Sequence, residues 1–227
     1  MNTGLSDVVF DAILRATSGL DAVADEAAFQ AALAAALGHC ERELRASFAA
    51  PLIPPRRPPQ SAIDELARRK PPRVLPGDGI DPCAARAKLD ILWHSPAGPV
   101  PIELKFCSKW KADTNGYQFL KDLHRLERMI AAGTHRPLAE IRLAAFVTNE
   151  RVYWRGERPE PQPFWLSEGR QLGGGYWVQY DQQSADTLWR SYPPFFLANE
   201  YELKWRDLRP TWKCLLVEVR PQSVAAS

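Results

Sequence analysis

The sequence lacks several features that would assign a function class directly. No two of its four cysteines form a Cys-x-x-Cys pair, so neither a zinc site nor a disulfide framework is expected. The longest run of small apolar residues, 31–37, is far shorter than the roughly 20 residues of a membrane helix. The N-terminus has no basic flank and no apolar signal segment. These absences predict a cytoplasmic protein in a reducing compartment, with no membrane partner.

Charge and histidine content are equally unselective. The 29 basic and 27 acidic residues give a formal net charge of +2, which excludes neither nucleic acid nor a neutral ligand. The four histidines show no metal-ligand spacing, and serine and cysteine nucleophile motifs are absent. With 227 residues, 45% of them hydrophobic, the chain can form one sizeable domain or one domain with an appendage.

Two amphipathic helices are predicted near the N-terminus, over residues 4–16 and 26–37. Asp25 can cap the second helix, and Gly38 stands where a C-terminal glycine belongs. Glu26 falls on the apolar stripe of this helix, where it either favours the helix dipole or directs a carboxylate toward the core. Residues 39–48 fit a helix or a strand, and Gly38 favours the strand.

Residues 51–76 differ in kind, because they hold eight of the 20 prolines. Regular hydrogen-bonded ladders cannot form through such a stretch. Its basic side chains can either contact phosphates or form an ordinary solvated surface. The basic residues predicted to bind nucleic acid are Arg56, Arg57, Arg68, Arg69 and Lys70.

The central stretch predicts two strands, 86–94 and 99–107, joined by a Pro/Gly turn. Asp90 lies in the first strand, and Glu103 and Lys105 lie two apart in the second, so they share one face. An acid and a base on an otherwise apolar strand are costly to bury. This arrangement predicts that they bind something, and a metal ion bridging to Asp90 is the first candidate.

A helix over 117–132 and a strand over 139–148 are predicted next, after a capping loop at 113–116. The helix carries an apolar stripe on one face and a polar stripe on its flank. The apolar stripe is Phe119, Leu123, Leu126 and Ile130, and the polar stripe is Gln118, Asp122 and Arg125. Asp122 and Arg125 can pair with each other on the helix surface.

The C-terminal third is rich in tryptophan, with six of the eight residues of this type after position 150. Strands are predicted at 176–181, 200–206 and 213–219. The tryptophans interleave with arginines, which permits stacking on unpaired bases, but core packing explains them more simply.

The order helix, three strands, helix, strand, with Asp90 followed by Glu103-Leu104-Lys105, resembles the PD-(D/E)XK nuclease superfamily. The resemblance implies an α/β fold with a mixed (α+β) sheet and a restriction-endonuclease-like αβββαβ core over 24–148. A helix at 1–23 would precede this core, a Pro-rich basic insert at 51–76 would interrupt it, and a Trp-rich, strand-containing extension at 149–227 would pack on it.

The resemblance also implies a magnesium site, with Mn²⁺ as a substitute. Asp90 and Glu103 would supply carboxylates and Leu104 its backbone carbonyl, since Mg²⁺ prefers oxygen ligands. Lys105 would hold the attacking water or stabilise the charged phosphate.

Two further residues are implied by the same resemblance. Glu26 is the first choice for an upstream glutamate, with Glu41 and Glu43 as alternatives. Gln118 is the choice for a polar residue on the helix after the lysine.

The function implied is that of a magnesium-dependent nuclease that hydrolyses phosphodiester bonds, in DNA rather than RNA. Family members often dimerise to cut both strands, which makes a homodimer an expectation. One alternative is a catalytically silent member of the fold that serves as a nucleic-acid or protein binding module. Another is an unrelated α+β protein whose Trp-rich half makes an interface.

The chain contains an internal control for the motif. Glu202-Leu203-Lys204 repeats the tripeptide, but the acidic residues upstream of it lie in a polar stretch, and Pro210 blocks a long helix after it. The sequence therefore predicts a functional pair at Glu103 and Lys105 and none at Glu202 and Lys204.

Overall fold

The computed structural model describes residues 4–18, 25–52, 56–57, 60–61, 64, 88–107, 112–155, 164–172, 174–178 and 192–222. Its helices are α1 (Leu5–Ala16), α2 (Glu26–Leu37), α3 (Ala112–Arg128) and α4 (Val152–Arg155). In the described part of the chain, no helix is long and apolar enough to cross a membrane.

Twelve strands are bounded within these residues. They are β1 (Cys40–Arg45), β2 (Ser47–Phe48), β3 (Lys88–Ser95), β4 (Gly98–Cys107), β5 (Met129–Ile130), β6 (Arg142–Thr148), β7 (Gln171–Leu172), β8 (Tyr176–Val178), β9 (Phe195–Leu197), β10 (Tyr201–Glu202), β11 (Trp205–Arg209) and β12 (Trp212–Val219).

A six-stranded mixed sheet with the order β1-β3-β4-β6-β12-β11 organises the fold. All neighbouring strands are antiparallel except β4 and β6, which are parallel and joined through α3. A parallel pair needs such a crossover because its strands run in the same direction. The predicted mixed α/β class is therefore confirmed.

Both faces of the sheet are buried. Helices α1 and α2 cover one face, where Phe29 and Leu33 pack on Ile102 and Leu104 of β4. Helix α3 covers the other face, where its Phe119 packs with residues of β6 and of the C-terminal segment. This double burial explains why β4 is apolar on both sides of the strand apart from Glu103 and Lys105.

The local signals for α2 and for the segment after it are confirmed. Asp25 Oδ1 accepts a hydrogen bond from the backbone N–H of Ala28 at 2.8 Å, which caps the helix. Gly38 follows with φ of 67°, a conformation in which glycine is favoured. Residues 39–48 contain the two strands β1 and β2, as Gly38 indicated.

The predicted start and end of α3 are wrong. The helix begins at Ala112, so residues 113–116 are helical and do not form a capping loop. A Cβ on Gly116 would lie 2.3 Å from the carbonyl oxygen of Phe164, so the glycine serves close packing rather than a turn. The helix ends at Arg128, and Ile130 belongs to β5.

The C-terminal segment supplies β11 and β12 to the central sheet, next to β6. It thus contributes to the sheet itself as well as packing against it. Trp205 and Trp212 are buried, which agrees with core packing. Trp189 and most of the Pro-rich insert lie outside the described residues.

Candidate active site

The candidate site lies where β3 and β4 separate. Their pairing runs from Ser95↔Gly98 to Ile91↔Ile102 and stops before Asp90 and Glu103. Beyond this point β4 stays paired with β6, while its other edge opens into a gap.

Along this open edge, carboxylates accept hydrogen bonds from backbone N–H groups of β4 that no neighbouring strand of the described structure accepts. The backbone N–H of Leu104 donates to Asp90 Oδ2 at 2.7 Å, and that of Phe106 donates to Glu26 Oε2 at 3.0 Å. Two acids from different elements are thereby fixed at the gap. Because the N–H and C=O groups of one strand residue point the same way, the carbonyl of Leu104 also faces it.

Lys105 connects the gap to α2. Its Nζ lies 3.1 and 3.2 Å from the two carboxylate oxygens of Glu26, and its side chain is 19% exposed. Burial opposes the ammonium charge, but the negative charges of Asp122 and Glu26 outweigh it and raise the pKa of Lys105. Of the two interpretations of Glu26, the structure favours the carboxylate directed inward over a purely helix-dipole role.

Asp90 and Glu103 form a close pair of acids. Burial raises the pKa of Asp90, opposed by the Leu104 N–H group. Burial and then repulsion from Asp122 raise the pKa of Glu103 well above its usual range, and its carboxyl group also interacts with that of Asp90. Because neighbouring carboxylates repel each other when ionised, a positive charge beside this pair would stabilise them.

Arg125 and Asp122 complete the cluster from α3. Arg125 Nη1 lies 3.0 Å from Asp122 Oδ1, and Arg125 Nη2 lies 2.9 Å from Glu103 Oε1. The pairing of Asp122 with Arg125 was predicted, but its placement on the helix surface is wrong, since both residues are buried. Burial outweighs the attraction of Arg125 and raises the pKa of Asp122 to about 6.

The sequence carried a signal for this inward placement. Asp122 and Arg125 share a flank of α3 with Gln118, so one polar stripe faces the strand that carries the acid–base pair. A local pairing rule recognises the ion pair but not the direction in which the helix docks.

The cluster has more negative than positive charge. Four carboxylates, from Glu26, Asp90, Glu103 and Asp122, stand against the two cations of Lys105 and Arg125. Counted as ionised, these six described side chains leave an excess of two formal negative charges, and Lys121 also attracts Asp122. In addition, Glu103 Oε1 is buried and accepts no aligned hydrogen bond within the described residues, despite its ion pair with Arg125.

These features fit a divalent cation held by few side chains. Among the described residues, no group of three or more Asp, Glu, His or Cys side chains is arranged to hold a metal. A metal at this gap would therefore rely on Asp90, Glu103 and the Leu104 carbonyl. All three donors are oxygens, which suits Mg²⁺.

The other candidate acids point elsewhere. Glu41 Oε1 pairs with His94 Nε2 at 2.6 Å, and Glu43 Oε2 pairs with Lys88 Nζ at 2.6 Å, both exposed. Of the three upstream glutamates, Glu26 is therefore the one that contacts Lys105 in the described structure. Gln118 lies one turn before Asp122 on α3 and is half-buried, and no hydrogen bond joins it to the described site residues.

The basic insert is only partly described. Arg56 and Arg57 are exposed, and the Arg56 guanidinium lies over the Trp177 ring at 4.3 Å from its centroid. The remaining residues predicted to bind nucleic acid lie outside the described residues; they are Arg68, Arg69 and Lys70.

The second copy of the tripeptide is a surface ion pair. Lys204 Nζ lies 2.6 Å from Glu202 Oε2, and the two side chains are 68% and 45% exposed. Exposed pairs of this kind contribute little to stability. The predicted contrast between the two copies is thus present in their environments.

No protein-family model, curated protein or solved structure was found to match this chain.

Proposed function

We propose that the chain is a metal-dependent nuclease of PD-(D/E)XK type that hydrolyses phosphodiester bonds in DNA. The observation that carries this proposal is the cluster at the β3–β4 gap, where carboxylates outnumber cations among the described residues and oxygen donors face the gap. The order α2, β1, β3, β4, α3, β6 supports the αβββαβ core. Its four strands are neighbours in the sheet, and α3 connects the parallel strands β4 and β6.

Asp90, Glu103 and the Leu104 carbonyl would hold Mg²⁺, with Mn²⁺ as a substitute. The bound ion would lower the pKa of the attacking water and neutralise charge on the phosphate. Asp90 is held in place for this task by the Leu104 N–H group.

Lys105 would orient the attacking water or donate to the phosphate oxygens as negative charge develops. Glu26 holds Nζ at the gap, so the ammonium group stays charged and positioned without contact to a phosphate. Arg56 and Arg57 are exposed and would contact the DNA backbone, where cations release counterions.

The test is cleavage of plasmid and single-stranded DNA with Mg²⁺ by the wild type, Asp90→Asn and Lys105→Met. We expect both variants to lose about 100-fold or more in rate, the cost of removing one preorganised donor to the transition state. Lys204→Met is the matched control, since it removes the lysine of the surface copy. Equal rates for the wild type and both site variants would contradict the proposal.

A silent fold is the second candidate, favoured by the ion pairs that already engage Lys105 and Glu103. Calorimetry with Mn²⁺ separates the two. Metal binding that Asp90→Asn abolishes, together with no cleavage of either DNA, would identify a binding module.

A further inference from the structure

Arg125 is fixed at the site by contacts to three elements. Its Nη2 donates to the carbonyl oxygen of Lys88 on β3 at 2.7 Å and lies 2.9 Å from Glu103 Oε1 on β4, while Nη1 lies 3.0 Å from Asp122 Oδ1 on α3. The side chain is 11% exposed, and its guanidinium lies over the Phe48 ring of β2 at 5.9 Å. A guanidinium held on so many sides has little freedom to turn away.

The carboxylates of Glu103 and Asp122 contact the two terminal nitrogens of the planar Arg125 guanidinium. In two-metal phosphodiesterase sites, a second ion about 4 Å from the first supplies the further positive charge. Here the protein supplies that cation itself, and it supplies only one positive charge.

The charge of the cluster depends on Arg125 standing in place of a second metal ion. With Arg125 present and every group counted as ionised, the four described acids exceed Lys105 and Arg125 by two negative charges, which one divalent ion neutralises. Without Arg125 three would remain, and Glu103 and Asp122 would face each other with no cation between them.

We propose that Arg125 is a permanent second cation of the site, so that the cluster binds one divalent ion instead of two. This rests on the proposed function, because it presupposes a metal held by Asp90 and Glu103. Arg125 acts through these carboxylates and is a positioning residue. It fixes the number of metals and the orientation of Glu103, and does not contact the reacting atoms.

The experiment is titration of the full chain with Mn²⁺, followed by calorimetry and by electron paramagnetic resonance of the free ion. The wild type should bind one Mn²⁺ at the cluster and Arg125→Ala two, a doubling of the stoichiometry. Arg125→Lys keeps the charge and should return the value to one. These are binding readouts and do not depend on cleavage.

Arg128→Ala is the matched control. Arg128 lies on the same helix and is also buried, but its guanidinium donates to the carbonyl of Ala49 at 2.8 Å and contacts His124 at 3.0 Å. Its removal tests the loss of a buried arginine from α3 without exposing a site carboxylate, and one Mn²⁺ should still bind.

Two outcomes would overturn the inference alone: two ions bound by the wild type, or one ion bound by folded Arg125→Ala. Absence of Mn²⁺ binding by the wild type, or binding that Asp90→Asn leaves unchanged, would overturn the proposed function as well. If circular dichroism shows that Arg125→Ala is unfolded, Arg125→Gln and the wild-type stoichiometry decide the question.

Discussion

Replacing Asp122 with asparagine should remove a pH-dependent loss of stability from the metal-free protein. Asp122 lies between α3 and the sheet, 5% exposed. Its pKa is raised from 3.8 to about 6, because burial outweighs the attraction of Arg125 and Lys105. The folded protein therefore holds this proton more tightly than the unfolded chain does.

The sign of the effect follows from linkage. Between the two pKa values the folded state keeps the proton and the unfolded state has lost it, so the free energy of unfolding falls as pH rises. The stabilisation is complete below pH 3.8 and is lost as pH passes through about 6. A shift of this size corresponds to about 3 kcal/mol, at about 1.4 kcal/mol per pKa unit.

The assay is urea unfolding of the wild type and Asp122→Asn from pH 4 to pH 7.5 in the presence of a chelator. The difference between the two proteins removes the titration of unrelated groups. We expect the wild type to lose about 2.5 kcal/mol relative to the variant across this range, because pH 4 already lies above the unfolded pKa of 3.8. Asp207→Asn is the control, because Asp207 is 79% exposed and pairs with Lys213 at the surface.

Parallel pH profiles for the wild type and Asp122→Asn would refute the reasoning, since they would show that Asp122 titrates alike in both states. Magnesium offers a second check on the same profile. If the ion replaces protons at the cluster, saturating Mg²⁺ should stabilise the wild type more at pH 7.5 than at pH 5.

Two further predictions concern packing around α3. Gly116→Ala should lower the free energy of unfolding by about 2 kcal/mol through a clash with Phe164, although alanine favours helices. Gly4→Ala is the control, because its Cβ would make only an ordinary contact with Asp7 Oδ2 at 3.9 Å. A more stable Gly116→Ala would contradict the packing. Glu127→Gln should lower the free energy of unfolding by about 2 kcal/mol, because Glu127 accepts hydrogen bonds from two backbone N–H groups and the Tyr201 hydroxyl. An unchanged urea midpoint would contradict this prediction.

The elements predicted well are those whose signals are local. Asp25 and Gly38 bound α2 by contacts within a few residues of the chain, so the sequence around them contains the cause. The alternation of Ile102, Leu104 and Phe106 against Glu103 and Lys105 likewise needs only the period of a strand.

The wrong predictions concern residues whose structure depends on contacts with segments far along the chain. Asn115-Gly116 is typical of a loop, but it is helical because Gly116 admits the backbone of Phe164, which lies far along the chain. Asp122 and Arg125 pair as the helical spacing predicts, yet their burial depends on how α3 docks on β3 and β4. The choice among Glu26, Glu41 and Glu43 had the same origin, since it required the start of α2 to be placed against Phe106.

The two Glu-Leu-Lys segments show what turns a common tripeptide into a candidate site. On the surface, Glu202 and Lys204 satisfy each other directly. In the gap, Glu103 contacts Arg125 and Lys105 contacts Glu26, so each charge of the tripeptide is matched from another element. Because Asp90 and Asp122 add two more acids, the acids of the gap outnumber its cations among the described residues. The candidate site therefore depends on the residues that α2, β3 and α3 bring to the strand. Under the proposed function, a substitution that restored charge balance there should abolish metal binding while leaving the tripeptide intact.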